Sequence, residues 1–271
     1  MGNSKFIQTK QSVINLKAYK STSLKKEIVE SIAEETPIAL IYNGISHVVM
    51  MGTPSNLEDF ALGFSITEGI IKKISDVYSI EIEKQDNGIE LNIEINSENF
   101  VKLKEIRRNL TGRTGCGLCG AESLSQAMRI PKIQTSNYQF DSKNILKALE
   151  IFSKNQILQK KTGATHASAL CQNNGTIKIT REDVGRHIAL DKLIGASLKD
   201  KVTEDSFVIT SSRASYEMVQ KIAHLNLKLL VAISAPTGLA IRLAENLGIT
   251  LIGFARESRY TIYSHNERII E

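Results

Sequence analysis

The sequence predicts an α/β fold in which a small α+β domain, residues 1–110, precedes a larger α/β domain, residues 111–271. Two observations predict it. Between residues 37 and 96, two apolar segments turn at Asn-Gly pairs and enclose a helical pattern, which is typical of antiparallel hairpins. From residue 206 onward, short apolar strands alternate with helices, which indicates a mixed sheet with helices on both faces.

The first half contains, in order, a hairpin, a helix and a second hairpin. Each hairpin turns at an Asn-Gly pair, which suits a two-residue turn that needs positive φ. The helix has apolar residues at helical spacing behind a Ser-Asn pair that is expected to cap it. The predicted ranges are 37–51 with its turn at Asn43-Gly44, 55–71 with Ser55 or Asn56 as N-cap, and 77–96 with its turn at Asn87-Gly88.

The second half opens with a glycine- and cysteine-rich loop, residues 111–124, which we expect to be flexible. An amphipathic helix and a third hairpin follow, and then strands and helices alternate. In sheets of this kind ligands bind beyond the carboxyl ends of the strands. The predicted helices are 142–158, 184–198, 213–225 and 236–247, the hairpin is 165–180 with its turn at Asn174-Gly175, and the strands are 206–210, 228–234 and 249–255.

Composition excludes several classes of protein. The chain has 271 residues, of which 42% are hydrophobic and 23% charged, and a net charge of +5. That charge mildly favours phosphate-bearing partners but falls short of a nucleic-acid-binding signature. The polar start MGNSKFIQTKQSV lacks the apolar run of a secretory signal. The sequence also has no apolar run long enough to predict a membrane span. Three cysteines without a targeting segment indicate a reducing cytoplasm.

The glycine-rich loop carries a Cys-x-x-Cys pair, Cys116 and Cys119, in the segment TGRTGCGLCGAESL. The thiolate is the nucleophilic form of cysteine, and cations close to a thiol, as Arg113 is in sequence, favour it. Because four glycines leave the sulfur open to another protein's active site, the pair suits a thiol that carries a group in transit.

Three other interpretations of the pair stay open on the motif alone. It is half of a zinc site that Cys171, His166 and His187 complete, a dithiol–disulfide pair of thioredoxin type, or an incidental pair in a surface loop. A zinc site needs four ligands, of which the pair supplies two. A thioredoxin-type pair belongs at the start of a helix that follows a strand, not in a glycine loop between domains.

Six motifs follow one another along the chain: RTGCGLCG at 113–120, THASAL at 165–170, REDVGRHIALDKLIG at 181–195, SSRASYEMVQK at 211–221, AISAPTGLAIRLAE at 232–245 and GFARESRYTIYS at 253–264. In this order they resemble the FdhD family, the formate dehydrogenase accessory sulfurtransferases. The resemblance implies a homodimeric sulfurtransferase that accepts sulfur from a cysteine desulfurase as a cysteine persulfide. It implies that the sulfur passes to the molybdenum bis(molybdopterin guanine dinucleotide) cofactor, a bound client, before that cofactor enters formate dehydrogenase. No permanently bound metal is expected.

The resemblance also implies site residues. Cys116 matches the persulfide-carrying position, and Cys119 matches its partner, which relays the sulfur, stabilises the persulfide or releases an unused sulfur by disulfide formation. The segment after the last core strand matches the family's cofactor-binding segment, and its residues are Phe254, Ala255, Arg256, Glu257, Ser258 and Arg259. The two arginines of this segment supply forked donors for phosphate oxygens.

Several other residues have simpler expected roles. Cys171 lies on an apolar strand and is expected to be a small buried hydrophobe. Asp183 is a candidate N-cap for the helix 184–198. Four basic residues are candidates for the same crevice as 254–259 but stay outside the assignment: Arg181, Arg186, His187 and Arg213.

The second domain of this family is similar in fold to cytidine deaminases, whose zinc chemistry uses His-x-Glu followed by Pro-Cys-x-x-Cys. Here the counterpart is His166-Ala167-Ser168, without the glutamate and without a following Cys-x-x-Cys. We therefore expect a cytidine deaminase-like fold without deaminase activity, and a packed or hydrogen-bonding His166. Two functions remain: a sulfurtransferase with Cys116 as persulfide carrier, and a non-catalytic molybdenum-cofactor-binding chaperone for apo-formate dehydrogenase.

Overall fold

The structure, a computed structural model, describes residues 11–110, 138–200, 202–203 and 205–271. The predicted loop 111–124, with Cys116 and Cys119, lies outside the described residues, so what we predict for it stays a prediction. The described chain is a mixed α/β fold, which confirms the predicted class, and it contains two main sheets. Within this part of the chain, none of the helices is both long and apolar enough to cross a lipid bilayer.

The first half of the described chain forms six strands and two helices: β1 Val13–Lys20, β2 Ser23–Ala33, β3 Thr36–Tyr42, β4 Ile45–Gly52, α1 Leu57–Thr67, β5 Val77–Gln85, β6 Gly88–Ile95 and α2 Ser97–Leu110. Strands β3 to β6 form the N-terminal sheet, in the order β4-β3-β6-β5, with only β3 and β6 parallel. Alternate residues of β3 and β6 are buried against α1. Strands β1 and β2 form a separate hairpin that the sequence analysis did not predict.

Both predicted hairpins of this half are confirmed, but one turn is displaced. The first turn lies at Asn43-Gly44, where both residues have positive φ as predicted. The second turn lies one residue earlier than predicted, at Asp86-Asn87, because Gly88 already belongs to β6. Gly88 is needed for the close approach of β3 instead, since a Cβ atom there would lie 2.6 Å from the carbonyl oxygen of Pro37.

The second half contains eight strands and five helices among the described residues: β7 Phe140–Asp141, α3 Ser142–Asn155, α4 Ile157–Thr162, β8 His166–Cys171, β9 Ile177–Asp183, α5 Arg186–Lys199, β10 Phe207–Thr210, α6 Tyr216–Ala223, β11 Leu229–Ala232, α7 Gly238–Leu247, β12 Thr250–Arg256, β13 Arg259–Ser264 and β14 Ile269–Ile270. The C-terminal sheet has the order β13-β12-β11-β10-β8-β9, with β10, β11 and β12 parallel. The predicted helix 142–158 is interrupted at Gln156, which separates α3 from α4.

Apolar side chains fill both faces of the C-terminal sheet, as the alternation of strands and helices predicted. One face, which includes Val208 and Leu230, packs against α5, α6 and α7. The other face, which includes Phe207 and Val231, packs against α3. Because successive strand residues point to opposite faces, each short strand contributes apolar side chains to the core on either face of the sheet.

The two halves meet where α1 crosses α5. Gly63 of α1 and Gly195 of α5 bring the two helix backbones into contact at this crossing. A Cβ atom at Gly63 would lie 1.8 Å from the carbonyl oxygen of Asp191, and one at Gly195 would lie 1.9 Å from that of Asp59. Only glycine fits at both positions, so the crossing fixes how the halves sit together.

Two buried ion pairs lie near this crossing. Lys192 of α5 places its Nζ 2.6 Å from an Asp183 carboxylate oxygen and 2.9 Å from the carbonyl oxygen of Thr53, which precedes α1. Lys221 of α6 contacts Asp191 at 2.9 Å. These bonds fix the position of α5 and of the loop before it. They thereby also support one edge of the C-terminal sheet.

Candidate functional site at the carboxyl edge of the C-terminal sheet

The three parallel strands of the C-terminal sheet end at one edge, and hydrogen bonds join the segments that follow them. The segments are 211–215 after β10, 233–237 after β11 and 254–259, which spans the end of β12 and the turn into β13. The amide of Ala214 donates to the carbonyl of Ala235 at 3.2 Å, and the amide of Phe254 donates to that of Ser234 at 3.1 Å. The edge is therefore a connected surface, placed where open α/β sheets bind ligands.

Three helices, α5, α6 and α7, begin at this edge, and helix N-termini offer free amides and partial positive charge to anions. Thr237 caps α7 by accepting a hydrogen bond from the amide of Ala240 at 3.3 Å. Ser215, the N-cap of α6, makes no such bond. Among the described residues, the buried Ser215 Oγ, Tyr216 hydroxyl and Arg186 Nε have no hydrogen-bond partner. Sequence reasoning missed Ser215 and Tyr216, although small polar residues after a buried strand are a weak signal for them.

The loop before α5 differs from expectation. The N-cap of α5 is Gly185, not Asp183. The Asp183 carboxylate is buried and accepts hydrogen bonds from the amides of Gly185 at 2.8 Å and Thr53 at 3.0 Å, besides the Lys192 ammonium. Burial raises the pKa of Asp183, and the attraction of Lys192 acts against that rise. The carboxylate thus fixes the start of α5 by binding backbone on both halves of the protein.

Phe254 is the first residue of the predicted cofactor-binding segment and has an unusual backbone. Its φ is 50°, which is rare for a residue with a bulky side chain, and its ring is 49% exposed. Ala255 beside it is fully buried and anchors the segment in the core. Strained residues of this kind concentrate at binding sites, so Phe254 is a candidate contact for a planar ligand group.

Arg256 and Arg259 are paired in the ladder between β12 and β13, at the end of this hairpin. Arg256 Nη1 donates to the carbonyl oxygens of Ile233 and Ala255, which orients the guanidinium. In the part of the chain that the structure describes, neither arginine forms an ion pair with a carboxylate. Glu257 instead accepts a hydrogen bond from Ser153 Oγ at 3.0 Å, which ties the turn to α3. Two like charges held opposite each other favour an anionic ligand between them.

Two histidines lie at the same edge. His166, at the start of β8, has its Nδ1 3.4 Å from Ser211 Oγ, and burial, together with the nearby charges of Arg186 and His187, lowers its pKa. His187 Nε2 lies 2.7 Å from a carboxylate oxygen of Glu217, and this contact lowers the pKa of Glu217. His166 is therefore hydrogen-bonded, as the sequence predicts, and its lowered pKa favours the neutral imidazole.

Arg181 lies away from this edge, so the structure removes it from the candidates for the crevice. Its guanidinium binds the Asp59 carboxylate of α1 at 2.8 and 2.9 Å. Lys199 binds the same carboxylate at 2.8 Å. These charges line a cleft of about 730 Å³ between the two halves. Arg186 and His187, at the start of α5, and Arg213, after β10, do lie at the carboxyl edge.

The structure confirms that Cys171 is buried, and burial raises the pKa of its thiol. Cys171 and His166 stand at opposite ends of β8, about 17 Å apart for a six-residue strand. They cannot share one ion, so the zinc interpretation that combines them is wrong. No group of three or more His, Cys, Asp or Glu side chains suited to a metal occurs among the described residues.

Fold and edge together define a class of protein: a two-part α/β protein whose parallel strands end at an edge that carries arginines, an exposed aromatic ring and helix N-termini, features that suit an anionic ligand. Within that class, the chain belongs to the FdhD/NarQ family, whose model matches residues 33–270. The resemblance seen in the sequence motifs is therefore confirmed.

Individual relatives agree with this family. The chain is 52% identical over 242 residues to a protein of Cupriavidus necator named sulfur carrier protein FdhD, with 89% of this chain and 84% of that protein covered. A protein of the same name from Bordetella parapertussis is 47% identical over 241 residues, with 89% and 87% covered. The crystal structure of a putative formate dehydrogenase accessory protein from Desulfotalea psychrophila matches with a TM-score of 0.76 and 25% identity, covering 96% of this chain and all of that one.

Proposed function

We propose that this protein is a cytoplasmic sulfur carrier needed for formate dehydrogenase activity. It accepts sulfur from a cysteine desulfurase as a persulfide on Cys116 and transfers it to the molybdenum bis(molybdopterin guanine dinucleotide) cofactor before that cofactor enters formate dehydrogenase. The names of the relatives support the sulfur-carrying role. The observation that carries the cofactor-binding role is the pair Arg256 and Arg259, held opposite each other without a carboxylate partner in the described residues.

The carboxyl edge suits this client chemically. The cofactor carries pyrophosphates, which forked guanidinium groups and free helix amides bind well. It also carries guanines, and an exposed aromatic ring such as that of Phe254 supplies a stacking surface for a base. The cofactor binds as a client, which receives sulfur and then leaves. This protein's own residues bind the phosphates, orient the bases and deliver the sulfur.

The two cysteines of the motif provide the thiolates for sulfur uptake and release. The Cys116 thiolate attacks the outer sulfur of the desulfurase persulfide, the donor's S–S bond breaks, and the donor cysteine leaves as a thiolate. The role of Cys119 stays open between relay, stabilisation of the persulfide and release. In release, the Cys119 thiolate attacks the Cys116 sulfur, a Cys116–Cys119 disulfide forms, and the outer sulfur leaves as sulfide with two electrons. A cellular dithiol then reduces the disulfide.

Sulfur loading tests the proposal directly. After incubation with a desulfurase and free cysteine, the intact mass of the protein is expected to rise by one sulfur atom, and Cys116→Ala is expected to abolish the rise. Cys171→Ala is the matched control, because its buried thiol cannot reach a donor protein. Loading that persists in Cys116→Ala would contradict the carrier role of Cys116. No loading of the wild type, with cofactor binding intact, would favour the chaperone function.

Nucleotide affinity tests the cofactor-binding edge. Phe254→Ala is expected to weaken binding of GDP, measured by calorimetry, about tenfold, the order expected for one lost stacking contact. Phe254→Tyr keeps the ring and is expected to bind as the wild type does. Lys178→Ala, on β9 away from this edge, controls for the loss of an exposed side chain. Equal affinity of the alanine and tyrosine variants would show that the ring does not stack on the base.

A further inference from the structure

The outer face of the N-terminal sheet, opposite the face that packs on α1, carries exposed apolar side chains. A sheet with one solvated face usually has polar residues on it. Here Val49 and Met51 of β4 are 58% and 47% exposed. They pair with Ala39 and Pro37 of β3, so β4 and β3 form an apolar half of this face. A contiguous exposed apolar surface beside polar residues marks an interaction site.

The other half of the outer face, on β6 and β5, is acidic. Strand alternation places four carboxylates on it: Glu81, Glu83, Glu90 and Glu94. Glu83 and Glu90 are directly opposite in the ladder, where like charges destabilise a sheet. Gln85 donates to Glu90 at 3.0 Å, but among the described residues no lysine or arginine forms an ion pair with any of the four. Because the whole chain has a net charge of +5, this acidic half is a local feature.

We infer that this outer face is the docking surface for the sulfur donor, and that the donor contacts it with lysine or arginine side chains beside apolar ones. Opposite charges across an interface steer the encounter of two proteins and fix their register. The acidic half thus selects a basic partner, and the apolar half adds hydrophobic contact. The inference rests on the proposed function, which requires a cysteine desulfurase to dock on this protein.

The position of the outer face in the fold favours the donor over formate dehydrogenase. Helix α1 lies on the inner face and crosses α5, so the outer face points away from the C-terminal half. A protein docked there leaves the carboxyl edge free for the cofactor and for the enzyme that receives it. Strand β6 continues into α2, which ends at Leu110, six residues before Cys116. Since six residues span at most about 22 Å, Cys116 is tethered to the half that the donor contacts.

The size of the outer face suits a transient partner. Its four strands have 7 to 9 residues, so they are about 26 Å long, and side by side they span roughly 19 Å. This area and an equal area of the partner give an interface of roughly 1,000 Å². Interfaces of that size are typical of proteins that associate briefly rather than of stable complexes. A sulfur donor must leave after each transfer, which agrees with this size.

The rate of sulfur loading, measured against the concentration of a cysteine desulfurase at saturating free cysteine, tests the inference. Glu83→Lys with Glu90→Lys cancels the negative charge of the acidic half and sets lysines against basic groups of the donor. This double variant is expected to raise the KM for the desulfurase at least about tenfold and to leave kcat unchanged. The KM of the wild type is expected to rise with ionic strength, whereas that of the double variant is expected to stay nearly constant.

Two further variants separate charge from hydrophobic contact. Glu245→Lys with Glu271→Lys is the matched control, because it changes two exposed carboxylates of the C-terminal half and alters the net charge equally. Its KM is expected to equal that of the wild type. Val49→Ser with Met51→Ser is expected to raise the KM about tenfold and to keep the salt dependence of the wild type, since only apolar contact is lost. Circular dichroism of each variant shows that it is folded before its KM is compared.

Several results would overturn the inference. A wild-type KM in the Glu83→Lys, Glu90→Lys variant would do so, as would an equal rise of the KM in the matched control. Normal loading of that variant with a loss of formate dehydrogenase activation would assign the outer face to formate dehydrogenase instead. A lower sedimentation coefficient of the variant, with normal loading, would assign it to a second copy of this chain. If the wild type itself takes up no sulfur, the proposed function fails and the inference fails with it, whereas the other results leave the proposed function intact.

Discussion

Gly195→Ala is expected to lower the free energy of unfolding by at least about 3 kcal/mol, at or above the usual cost of overpacking a core. The new Cβ atom would lie 1.9 Å from the carbonyl oxygen of Asp59. That oxygen belongs to the backbone of α1 and cannot rotate away, so the two helices must separate. Since protein interiors are close-packed, separation loosens the contacts along the whole crossing. Urea denaturation, with the slope checked for two-state behaviour, measures the loss.

Two other glycines make this test specific. Gly63→Ala is expected to have a similar cost, because its Cβ atom would lie 1.8 Å from the carbonyl oxygen of Asp191. Gly238→Ala is the matched control, since it also lies in a helix but its Cβ atom would meet only the end of the Arg242 side chain, at 3.5 Å. Alanine favours helix, so this control is expected to be as stable as the wild type or more stable. A Gly195→Ala variant of undiminished stability would contradict the crossing of α1 and α5.

Features that depend on local sequence were predictable. The turn at Asn43-Gly44 follows from a residue pair that tolerates positive φ, and the structure has it there. The short apolar strands β10 and β11 are buried throughout, as predicted, and β12 is buried from Thr250 to Gly253. Burial of Cys171 followed from its apolar neighbours in β8. In each case the deciding interactions are made within a few residues.

Features that depend on distant contacts were not predictable. Gly88 was expected in a turn, but the neighbouring strand's Pro37 requires its small size. Asp183 was a plausible N-cap in sequence, but its buried pairing with Lys192 is visible only once α5 is folded back on β9.

The same distinction between local sequence and distant contacts applies to the candidate site. The sequence places Arg256 and Arg259 after the last core strand, and a family resemblance assigns the segment 254–259 to cofactor binding; neither predicts how the two arginines are paired. That Arg256 and Arg259 lie opposite each other depends on the register of β12 and β13. The positions of the Ser215 Oγ and the Tyr216 hydroxyl, which have no hydrogen-bond partner within the described part of the chain, depend on which helix begins beside which strand. Sequence patterns locate the edge, whereas the register of the sheet decides which side chains meet there.

Lys192→Met is expected to destabilise the protein by about 3–5 kcal/mol, the usual cost of stranding one member of a buried ion pair. Lys192 and Asp183 are both fully buried, 2.6 Å apart. Without the ammonium, the Asp183 carboxylate loses its counter-charge and the Thr53 carbonyl loses a donor. Lys154→Met is the control, since Lys154 forms a pair with Glu150 at 2.7 Å on the exposed face of α3. Exposed pairs contribute little, so this variant is expected to unfold as the wild type does.

The pH dependence of stability distinguishes the effect of an unpaired buried charge from the effect of lost packing. Burial raises the pKa of Asp183 in the wild type and Lys192 opposes that rise, so removing Lys192 leaves burial unopposed. A carboxyl whose pKa is higher in the folded than in the unfolded state binds its proton more readily when folded, so stability rises as the pH falls through that range. The difference in free energy of unfolding between the wild type and Lys192→Met is therefore expected to shrink as the pH is lowered from neutral. Adding Asp183→Asn is expected to recover part of the loss at neutral pH and to remove most of this pH dependence. If this difference stays constant with pH, the packing of the lysine stem, rather than the charge that it neutralises, stabilises the contact between the two halves.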